Sequence, residues 1–399
     1  MKWRMLAVLA LAELLGMTLW FSASAVTPAL AAAWQLDSGG QAWLTMSVQI
    51  GFVVGTLVSA LFNLADIFKA RYLFALCALL GAGCNAAIGL WVDSSAPAMV
   101  LRFATGVFLA GVYPPGMKIA ASWFKEGRGL AIGVLVGGLT VGSAAPHGLR
   151  LLGGADWRLV MGWASAAAVM GGLLCLLVVR DGPHMAAGAR FDWRAMGRAL
   201  GDRGVRLANF GYLGHQWELY AVWTWIPLFL AASFTASGVD GAVEWAGLGA
   251  FVVIGMGGLG CVGAGLLADR YGRTTITIGS MAISGACCLG VGFLFGGAPL
   301  ALMAVCLVWG LVIVADSAQF SASISELAEP TYLGTALTLQ TCMGFLLTMV
   351  SIRLVPLWVE WVTWQWAFVI LAIGPVLGSL AMYRLKGLPE AARIGGERR

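Results

Sequence analysis

The sequence predicts an all-α polytopic membrane protein with twelve transmembrane helices in two pseudo-symmetric six-helix bundles. Three observations support this fold class. Hydrophobic residues make up 60% of the 399 positions and charged residues only 11%, whereas soluble proteins carry about 25% charged residues. Twelve apolar stretches follow one another, and a polar stretch near the middle divides them into two sets. This composition excludes a cytosolic enzyme, a disordered protein and a nucleic-acid-binding protein.

Each apolar stretch is long enough to cross a bilayer, because a hydrocarbon core about 30 Å thick needs roughly 20 helical residues. Charged residues, glycines and prolines mark the ends of the stretches. The predicted spans are 5–27, 41–63, 72–92, 97–121, 129–152, 157–180, 206–231, 243–268, 274–296, 299–325, 333–357 and 364–384.

The polar stretch sets the predicted domains. Residues 1–180 form the first six-helix bundle, residues 181–204 a cytosolic connecting loop, and residues 205–399 the second six-helix bundle with a short cytosolic tail. Arginines and apolar residues alternate in the connecting loop, so part of it could form an amphipathic helix at the lipid headgroups.

Lysine and arginine are distributed unevenly between the two sides of the predicted membrane. Nineteen of the 24 lie on the side that holds both termini, and by the positive-inside rule this side is cytosolic. We therefore expect a multi-pass protein of the bacterial inner membrane with both termini in the cytosol. Glu13 interrupts the first apolar run, which argues against the alternative of a cleaved signal peptide.

An internal repeat relates the two halves of the chain. The segment 63–71 ends the second span, and the segment 265–273 ends the eighth span 203 positions later. Trp43 and Trp245 open the matching spans at an offset of 202. A nearly constant offset close to half the length predicts two parallel halves around an axis along the membrane normal.

At these residues the chain resembles the major facilitator superfamily along its full length. The segment Gly265 to Arg273 matches that superfamily's signature loop almost completely, whereas the first copy has Asn63 in place of the glycine. Further pieces resemble family signatures: Arg102 to Gly106, Trp123-Phe124 with Arg128-Gly129, and Trp157-Arg158. The resemblance is nearest to the prokaryotic nitrate/nitrite- and cyanate-permease branches. It implies a monomeric secondary transporter that works by alternating access.

The signature loops are the predicted gates. Asp66 and Asp269 are expected at the cytosolic ends of helices, where the fifth and eleventh helices begin. A helix N-terminus carries roughly half a positive charge, so a carboxylate there favours the closed cytosolic face, and basic residues would hold the carboxylate by hydrogen bonds. The alternative is that these loops only mark topology. The predicted gating residues are Asp66, Lys69, Arg71, Asp269, Arg270 and Arg273.

Glycines spaced four residues apart allow helices to approach closely in lipid. Such pairs occur at Gly51 and Gly55 in the second span and at Gly133 and Gly137 in the fifth. The resemblance implies that these helices and the eighth form the seam between the halves. Ordinary tight packing is the alternative.

Three acidic residues lie well within predicted spans: Glu13, Glu218 and Asp316. A charge there costs about 2.5–3.5 kcal/mol on the insertion scale, so we expect each to have a function or a partner. Together with His215 they are the predicted proton-coupling residues, because low-dielectric surroundings disfavour the charged carboxylate. For Asp316 the alternative is a structural hydrogen bond. His215 and Glu218 could suggest a metal pair, but no third ligand is evident, so neither a metal nor a cofactor is predicted.

Cations in the first half and acids in the second favour a small organic anion that is moved together with protons. Pro114 and Pro115 must break or bend the fourth helix, so the sequence leaves the direction of Lys118 open. The predicted substrate-binding residues are Arg102, Lys118, Trp20, Tyr113, His147, Gln319 and Trp223.

Two other functions stay open at this point. Aromatic residues along the spans would also suit a proton-driven exporter of amphipathic drugs. A non-transporting membrane receptor is the alternative from another class, although it would not need a repeated gate loop. Enzyme motifs are missing from the sequence, so an enzyme is not predicted. The expected partners are a small-molecule substrate, protons and the lipid bilayer.

Overall fold

The computed structural model describes residues 1–124, 127–153, 156–185 and 192–395, and the regular secondary structure there is helical. The first span, α1, consists of three pieces, Lys2–Met17, Ser22–Ala25 and Thr27–Trp34. Eleven further helices are long and apolar enough to cross a membrane: α2 Ser38–Leu61, α3 Ala70–Trp91, α4 Ser95–Trp123, α5 Gly129–Arg150, α6 Trp157–Leu177, α7 Arg203–Ala236, α8 Ala242–Tyr271, α9 Arg273–Leu294, α10 Pro299–Leu327, α11 Leu333–Val362 and α12 Trp364–Lys386.

Twelve spans bring the chain back to the side from which it starts. Both termini therefore lie on one face, which we call the terminus face, and the other face is the opposite face. The segment between α6 and α7 contains the short helix Met196–Gly201, and another short helix, Leu64–Ile67, lies between α2 and α3.

The spans pack as two bundles of six. In the first, α1 contacts α5 and α6, α2 contacts α4, and α3 contacts α6. In the second, α7 contacts α11 and α12, α8 contacts α10, and α9 contacts α12. Two helix pairs make the largest contacts between the bundles, α5 with α8 and α2 with α11, and the α5–α8 pair is the most extensive helix contact among the described residues.

Backbone approaches the partner helix closely along the α5–α8 seam. A Cβ atom at Gly133 would lie 2.7 Å from the carbonyl oxygen of Cys261, and one at Gly265 would lie 2.8 Å from that of Gly129. Both distances are too short for a side chain. These glycines therefore allow the two bundles to meet backbone to backbone.

The glycine pair of α2 has a different position. A Cβ atom at Gly51 would lie 1.9 Å from the carbonyl oxygen of Phe103, and one at Gly55 would lie 2.5 Å from that of Val107. Both carbonyls belong to α4, which is in the same bundle. Gly51 and Gly55 thus serve tight packing within the first bundle, whereas Gly133 and Gly137 lie on the seam between the bundles.

Three spans are interrupted in the middle. The break in α1 covers residues 18–21, where the sequence predicts a continuous helix, and α4 and α10 break at 110–112 and 314–316. The last two breaks are 204 positions apart, close to the offsets of 202 and 203 in the internal repeat. Pro114 and Pro115 begin the second piece of α4, which confirms the predicted interruption there. Non-helical backbone at membrane depth is tolerated only where protein buries it or where it lines a water-filled cavity.

Candidate substrate cavity and gates

A cavity of about 280 Å³ lies between the two bundles, next to the breaks in α1, α4 and α10. Of the residues predicted to bind substrate, Trp20, Tyr113 and Trp223 line it. Among the described residues that line the cavity, none is charged. The lining combines aromatic rings with the neutral polar side chains of Thr56, Gln216, Ser317, Ser321, Thr338 and Thr341.

Six aromatic rings close the cavity towards the opposite face, and we call them the aromatic gate. They are Trp20, Phe21 and Phe52 from the first bundle and Tyr220, Trp223 and Phe345 from the second. The ring centroids of Phe52 and Phe345 are 4.6 Å apart, and those of Trp20 and Tyr220 are 5.7 Å apart. The gate thus joins the bundles by ring contacts typical of favourable aromatic pairs.

Further contacts between the bundles lie beyond the gate, nearer the opposite face. The Thr348 hydroxyl of α11 donates a 3.1 Å hydrogen bond to the Gln49 side-chain oxygen of α2, and both residues are buried. A separate vestibule of about 140 Å³ lies on this side and includes Arg150 in its lining. Half-buried Ser321 and Thr338 line the central cavity on the other side of the gate. The structure therefore has its cavity directed towards the terminus face.

Asp269 lies at the terminus-face end of the α5–α8 seam. A Cβ atom at Gly129 would lie 2.9 Å from Asp269 Oδ1, which places the carboxylate against the first turn of α5. The partial positive charge of a helix N-terminus stabilises a carboxylate in this position. Asp269 thus lies at the predicted helix end, but its gating role stays a prediction, because this contact is formed while the cavity is directed towards the terminus face.

Arg273 binds within the second bundle. Its Nε lies 3.1 and 3.0 Å from the two carboxylate oxygens of Glu326, and its Nη2 lies 2.8 Å from Oε1. Its Nη1 donates a 2.7 Å hydrogen bond to the side-chain oxygen of Gln319. Arg273 therefore clamps α9 to α10, and Gln319, which was predicted to bind substrate, instead holds this arginine. Glu326 was not among the predicted site residues, because it lies one residue beyond the predicted tenth span.

The other predicted gating residues lie at the terminus-face loops. The guanidinium groups of Arg71 and Arg270 lie over the rings of Tyr72 and Tyr271, at 4.7 and 5.2 Å from the centroids. The Lys69 amino group lies 6.0 Å from the Tyr72 ring centroid. The side chain of Asp66 lies outside the described part of the structure.

Lys118 points away from the central cavity. Its amino group donates a 2.8 Å hydrogen bond to the carbonyl oxygen of Ala65, in the short helix between α2 and α3. The Lys118 side chain, whose direction the sequence left open, therefore points towards the first signature loop, segment 63–71. This position does not support the substrate contact predicted for Lys118.

Arg102 is fully buried, and its donors are used within the first bundle. Nη1 donates to the carbonyl oxygen of Leu19 at 2.7 Å, Nη2 donates to that of Trp20, and Nε donates to that of Leu44 at 3.2 Å. Leu19 and Trp20 lie in the break of α1, where helical partners for these carbonyls are lost. Arg102 therefore satisfies the interrupted backbone, and it does not line the cavity as its predicted substrate role requires.

Glu218 faces its own bundle. Its Oε1 accepts hydrogen bonds from Ser284 at 2.5 Å and from the indole of Trp309 at 2.7 Å, and the Cys288 thiol lies 3.2 Å away. These partners belong to α9 and α10. The carboxyl group thus ties three helices of the second bundle together one layer behind the cavity.

Glu13 and His147 are buried without a side-chain hydrogen-bond partner among the described residues. This applies to both carboxyl oxygens of Glu13 and to Nε2 of His147. Glu13 packs against α4, because a Cβ atom at Gly116 would lie 2.6 Å from its Oε2. Neither residue lines the central cavity.

His215 and Asp316 form a buried pair. His215 Nδ1 lies 2.9 Å from Asp316 Oδ1, and both side chains are at most 2% exposed. Asp316 lies in the break of α10, and its neighbour Ser317 lines the cavity, as does Gln216 beside His215. The pair therefore lies directly behind the cavity wall. No cluster of three or more potential metal-ligating side chains occurs in the described ranges.

Several cavity residues were not predicted from the sequence. Among them are Tyr212, Gln216 and Tyr220, which line it on one face of α7 together with the predicted Trp223. Gln216, Tyr220 and Trp223 follow Tyr212 at spacings of 4, 8 and 11 residues. This helical spacing of polar and aromatic side chains is visible in the sequence. The spacing alone does not distinguish a cavity wall from ordinary helix packing, so these three residues were not predicted.

The family model described as Major Facilitator Superfamily matches residues 9–347. The chain belongs to this superfamily. A curated relative, the MFS-type transporter pytF of Aspergillus terreus (strain NIH 2624 / FGSC A1156), is 26% identical over 174 residues. The alignment covers 42% of this chain and 55% of that protein, little more than half its length.

Solved structures share the fold over nearly the whole chain. The nucleoside transporter NupG is 16% identical with a TM-score of 0.70, and the alignment covers 96% of this chain and 99% of that one. The proton:xylose symporter XylE is 14% identical with a TM-score of 0.74, with 96% and 95% covered. Together with the family match, these structures show the major facilitator fold, with many membrane spans, over nearly the whole chain.

We predict that Arg102→Gln lowers stability without changing the cavity lining. The shorter side chain leaves the carbonyl oxygen of Trp20 in the α1 break without its partner, and a buried unpaired group costs about 1–3 kcal/mol. Thermal unfolding of purified protein in detergent measures the effect. The control is Arg180→Gln, which changes an exposed arginine three residues beyond the end of α6. An unchanged unfolding temperature for Arg102→Gln would contradict the assigned role.

Proposed function

We propose that this transporter carries an uncharged, ring-bearing organic solute by alternating access, coupled to protons. The observation that carries the proposal is the lining of the central cavity. Aromatic rings offer faces on which a planar or ring-shaped solute stacks, and Gln216, Thr338 and Thr341 offer donors and acceptors for its polar groups.

The positions of the predicted cations argue against an anion in this cavity. Arg102 binds backbone carbonyls of α1 and α2, and Lys118 binds the carbonyl of Ala65. An anion in the cavity would lose its hydration without gaining a cationic partner, which is costly in a low-dielectric site. A neutral polar solute avoids this cost.

The size of the cavity agrees with a small solute. Its volume of about 280 Å³ is close to the lower end of the roughly 300–1,000 Å³ that is usual for ligand pockets. The printed names of NupG and XylE refer to a nucleoside and to xylose, which are neutral ring compounds. Nucleosides and sugars are therefore the first compounds to test as solutes of this protein.

We assign proton coupling to His215 and Asp316. The pair lies directly behind Gln216 and Ser317, so a proton gained or lost there changes the charge next to the bound solute. Asp316 also lies in the break of α10, where the backbone is free of helical constraint. Glu218 is held by partners on two helices, and Glu13 packs inside the first bundle, so both are weaker candidates than the pair.

An organic anion is the second candidate solute, and one observation favours it. Arg150 lines the vestibule of about 140 Å³ on the opposite face. A cation there would attract anions to the entrance. The proton-driven exporter of amphipathic compounds differs from the first proposal mainly in direction and in the breadth of solutes accepted.

We further propose that the terminus face is the cytosolic face of a bacterial inner membrane. The support is the excess of lysine and arginine on that side. We also propose that the first bundle ends at residue 180, that the second begins at residue 205, and that the protein is a monomer.

The first test is ligand binding by purified protein. Ligands that bind the folded state raise the unfolding temperature, and we expect this effect from neutral ring compounds among a panel of nucleosides, sugars, aromatic amines and organic acids. Thr341→Val should weaken binding about 3- to 10-fold, the effect of one hydrogen bond. Thr235→Val is the matched control, because Thr235 also bonds within its own helix but is exposed.

Two outcomes would contradict the neutral-solute proposal. One is stabilisation by organic acids alone that is lost in Arg150→Gln, which would support the second candidate. The other is equal binding by Thr341→Val and Thr235→Val, which would place the solute outside the central cavity.

The second test concerns proton coupling in proteoliposomes, with a solute found by the first test. Asp316→Asn should abolish accumulation driven by a proton gradient and preserve counterflow exchange, because exchange needs no net proton movement. Asp240→Asn, an exposed substitution in the loop before α8, should behave as wild type. If Asp316→Asn retains gradient-driven accumulation, the pair has only a structural role.

A further inference from the structure

A groove of about 700 Å³ lies on the outside of the second bundle, between α7, α11 and α12. Its walls are apolar, with exposed side chains such as Phe210, Ile373, Leu377 and Leu380. None of the residues that line this groove also lines the central cavity. The groove is therefore separate from the proposed transport path.

Two glycines at the helix contact make the groove deep. A Cβ atom at Gly214 of α7 would lie 2.4 Å from the carbonyl oxygen of Gly374 of α12, and one at Gly374 would lie 2.5 Å from that of Gly214. The backbones of α7 and α12 are therefore in direct contact at the bottom of the groove. Larger side chains stand on both sides and leave the space between them open.

Two arginines line the end of the groove at the terminus face. Arg206 is in the first turn of α7 and Arg384 in the last turn of α12, and both are exposed. Nη1 of Arg206 reaches the carbonyl oxygens of Leu200 and Gly201 only at 3.5 and 3.4 Å. Neither arginine makes an ion pair with an acidic side chain of the described residues.

We propose that this groove binds an anionic phospholipid. The apolar walls face the hydrocarbon of the bilayer, where an acyl chain fills a groove and water does not. At the terminus face, the guanidinium groups of Arg206 and Arg384 bind the phosphate of the headgroup, because arginine matches phosphate geometry with paired donors. Basic pockets between transmembrane helices are suited to anionic headgroups.

The test is lipid binding by the purified full-length chain. Native mass spectrometry in a neutral detergent would compare phosphatidylglycerol with phosphatidylcholine of the same acyl chains. We expect wild-type protein to retain phosphatidylglycerol more strongly. Arg206→Gln combined with Arg384→Gln should weaken this binding about 30-fold, from about 1 kcal/mol for each charge, and should leave phosphatidylcholine binding unchanged.

The matched control removes two exposed arginines from the first bundle, Arg4→Gln with Arg180→Gln, and should bind phosphatidylglycerol as wild type does. If the double groove variant does not fold, each single variant should still lose about fivefold. A third variant, Leu380→Trp, fills the groove and should weaken both lipids.

Three results would overturn the proposal. Equal binding of the two lipids by wild-type protein would remove the headgroup preference. Equal losses in the groove and control variants would show a general effect of surface charge. Displacement of phosphatidylglycerol by millimolar inorganic phosphate would indicate a site for free phosphate.

Discussion

Interrupted backbone inside the membrane is the constraint on which the rest of this structure depends. The breaks in α1, α4 and α10 free carbonyl and amide groups at a depth where lipid cannot satisfy them. Each break borders the central cavity, and Arg102 satisfies the carbonyls of Leu19 and Trp20 in α1. The same breaks place Trp20, Tyr113 and Ser317 at the cavity wall. The breaks that leave backbone groups in need of partners are therefore the same breaks that form part of the cavity wall.

The contacts between the bundles differ along the membrane normal. The α5–α8 seam is in contact from Gly129 near the terminus face to Gly148, which meets Phe251 nearer the opposite face. Contacts between α2 and α11 lie at the gate and beyond it, at Phe345 and Thr348. The rings of the gate also form the end wall of the cavity, so a solute that stacks on Trp20 or Tyr220 touches the residues that must separate when the opposite face opens. A bound solute therefore acts directly on the ring contacts that keep the opposite face closed.

Much of the fold could be predicted from the sequence, because apolar runs and loop charges mark the spans directly. The proline pair marked the break in α4. The break in α1 was missed, since residues 18–21 include neither glycine nor proline. The bonding of Arg102 could not be predicted for the same reason, because the carbonyls of Leu19 and Trp20 become available to it only where α1 is broken. Hydropathy showed that Glu218 and Lys118 lie within spans, but the direction of a side chain around a helix depends on tertiary packing. Of the neutral cavity lining, Trp20, Tyr113 and Trp223 were predicted, whereas Tyr212, Gln216 and Tyr220 were not, because uncharged side chains within a span carry no signal that distinguishes a cavity wall from ordinary packing.

The most direct test of this account is cross-linking on the two sides of the aromatic gate. In a variant without the eight native cysteines, one protein would carry Gln49→Cys with Thr348→Cys, and another would carry Thr56→Cys with Thr341→Cys on the cavity side. Without solute, a short bifunctional thiol reagent should join the first pair quickly and the second pair slowly. Rapid cross-linking of the second pair with no reaction of the first would show that the cavity faces the opposite side, and it would contradict the account.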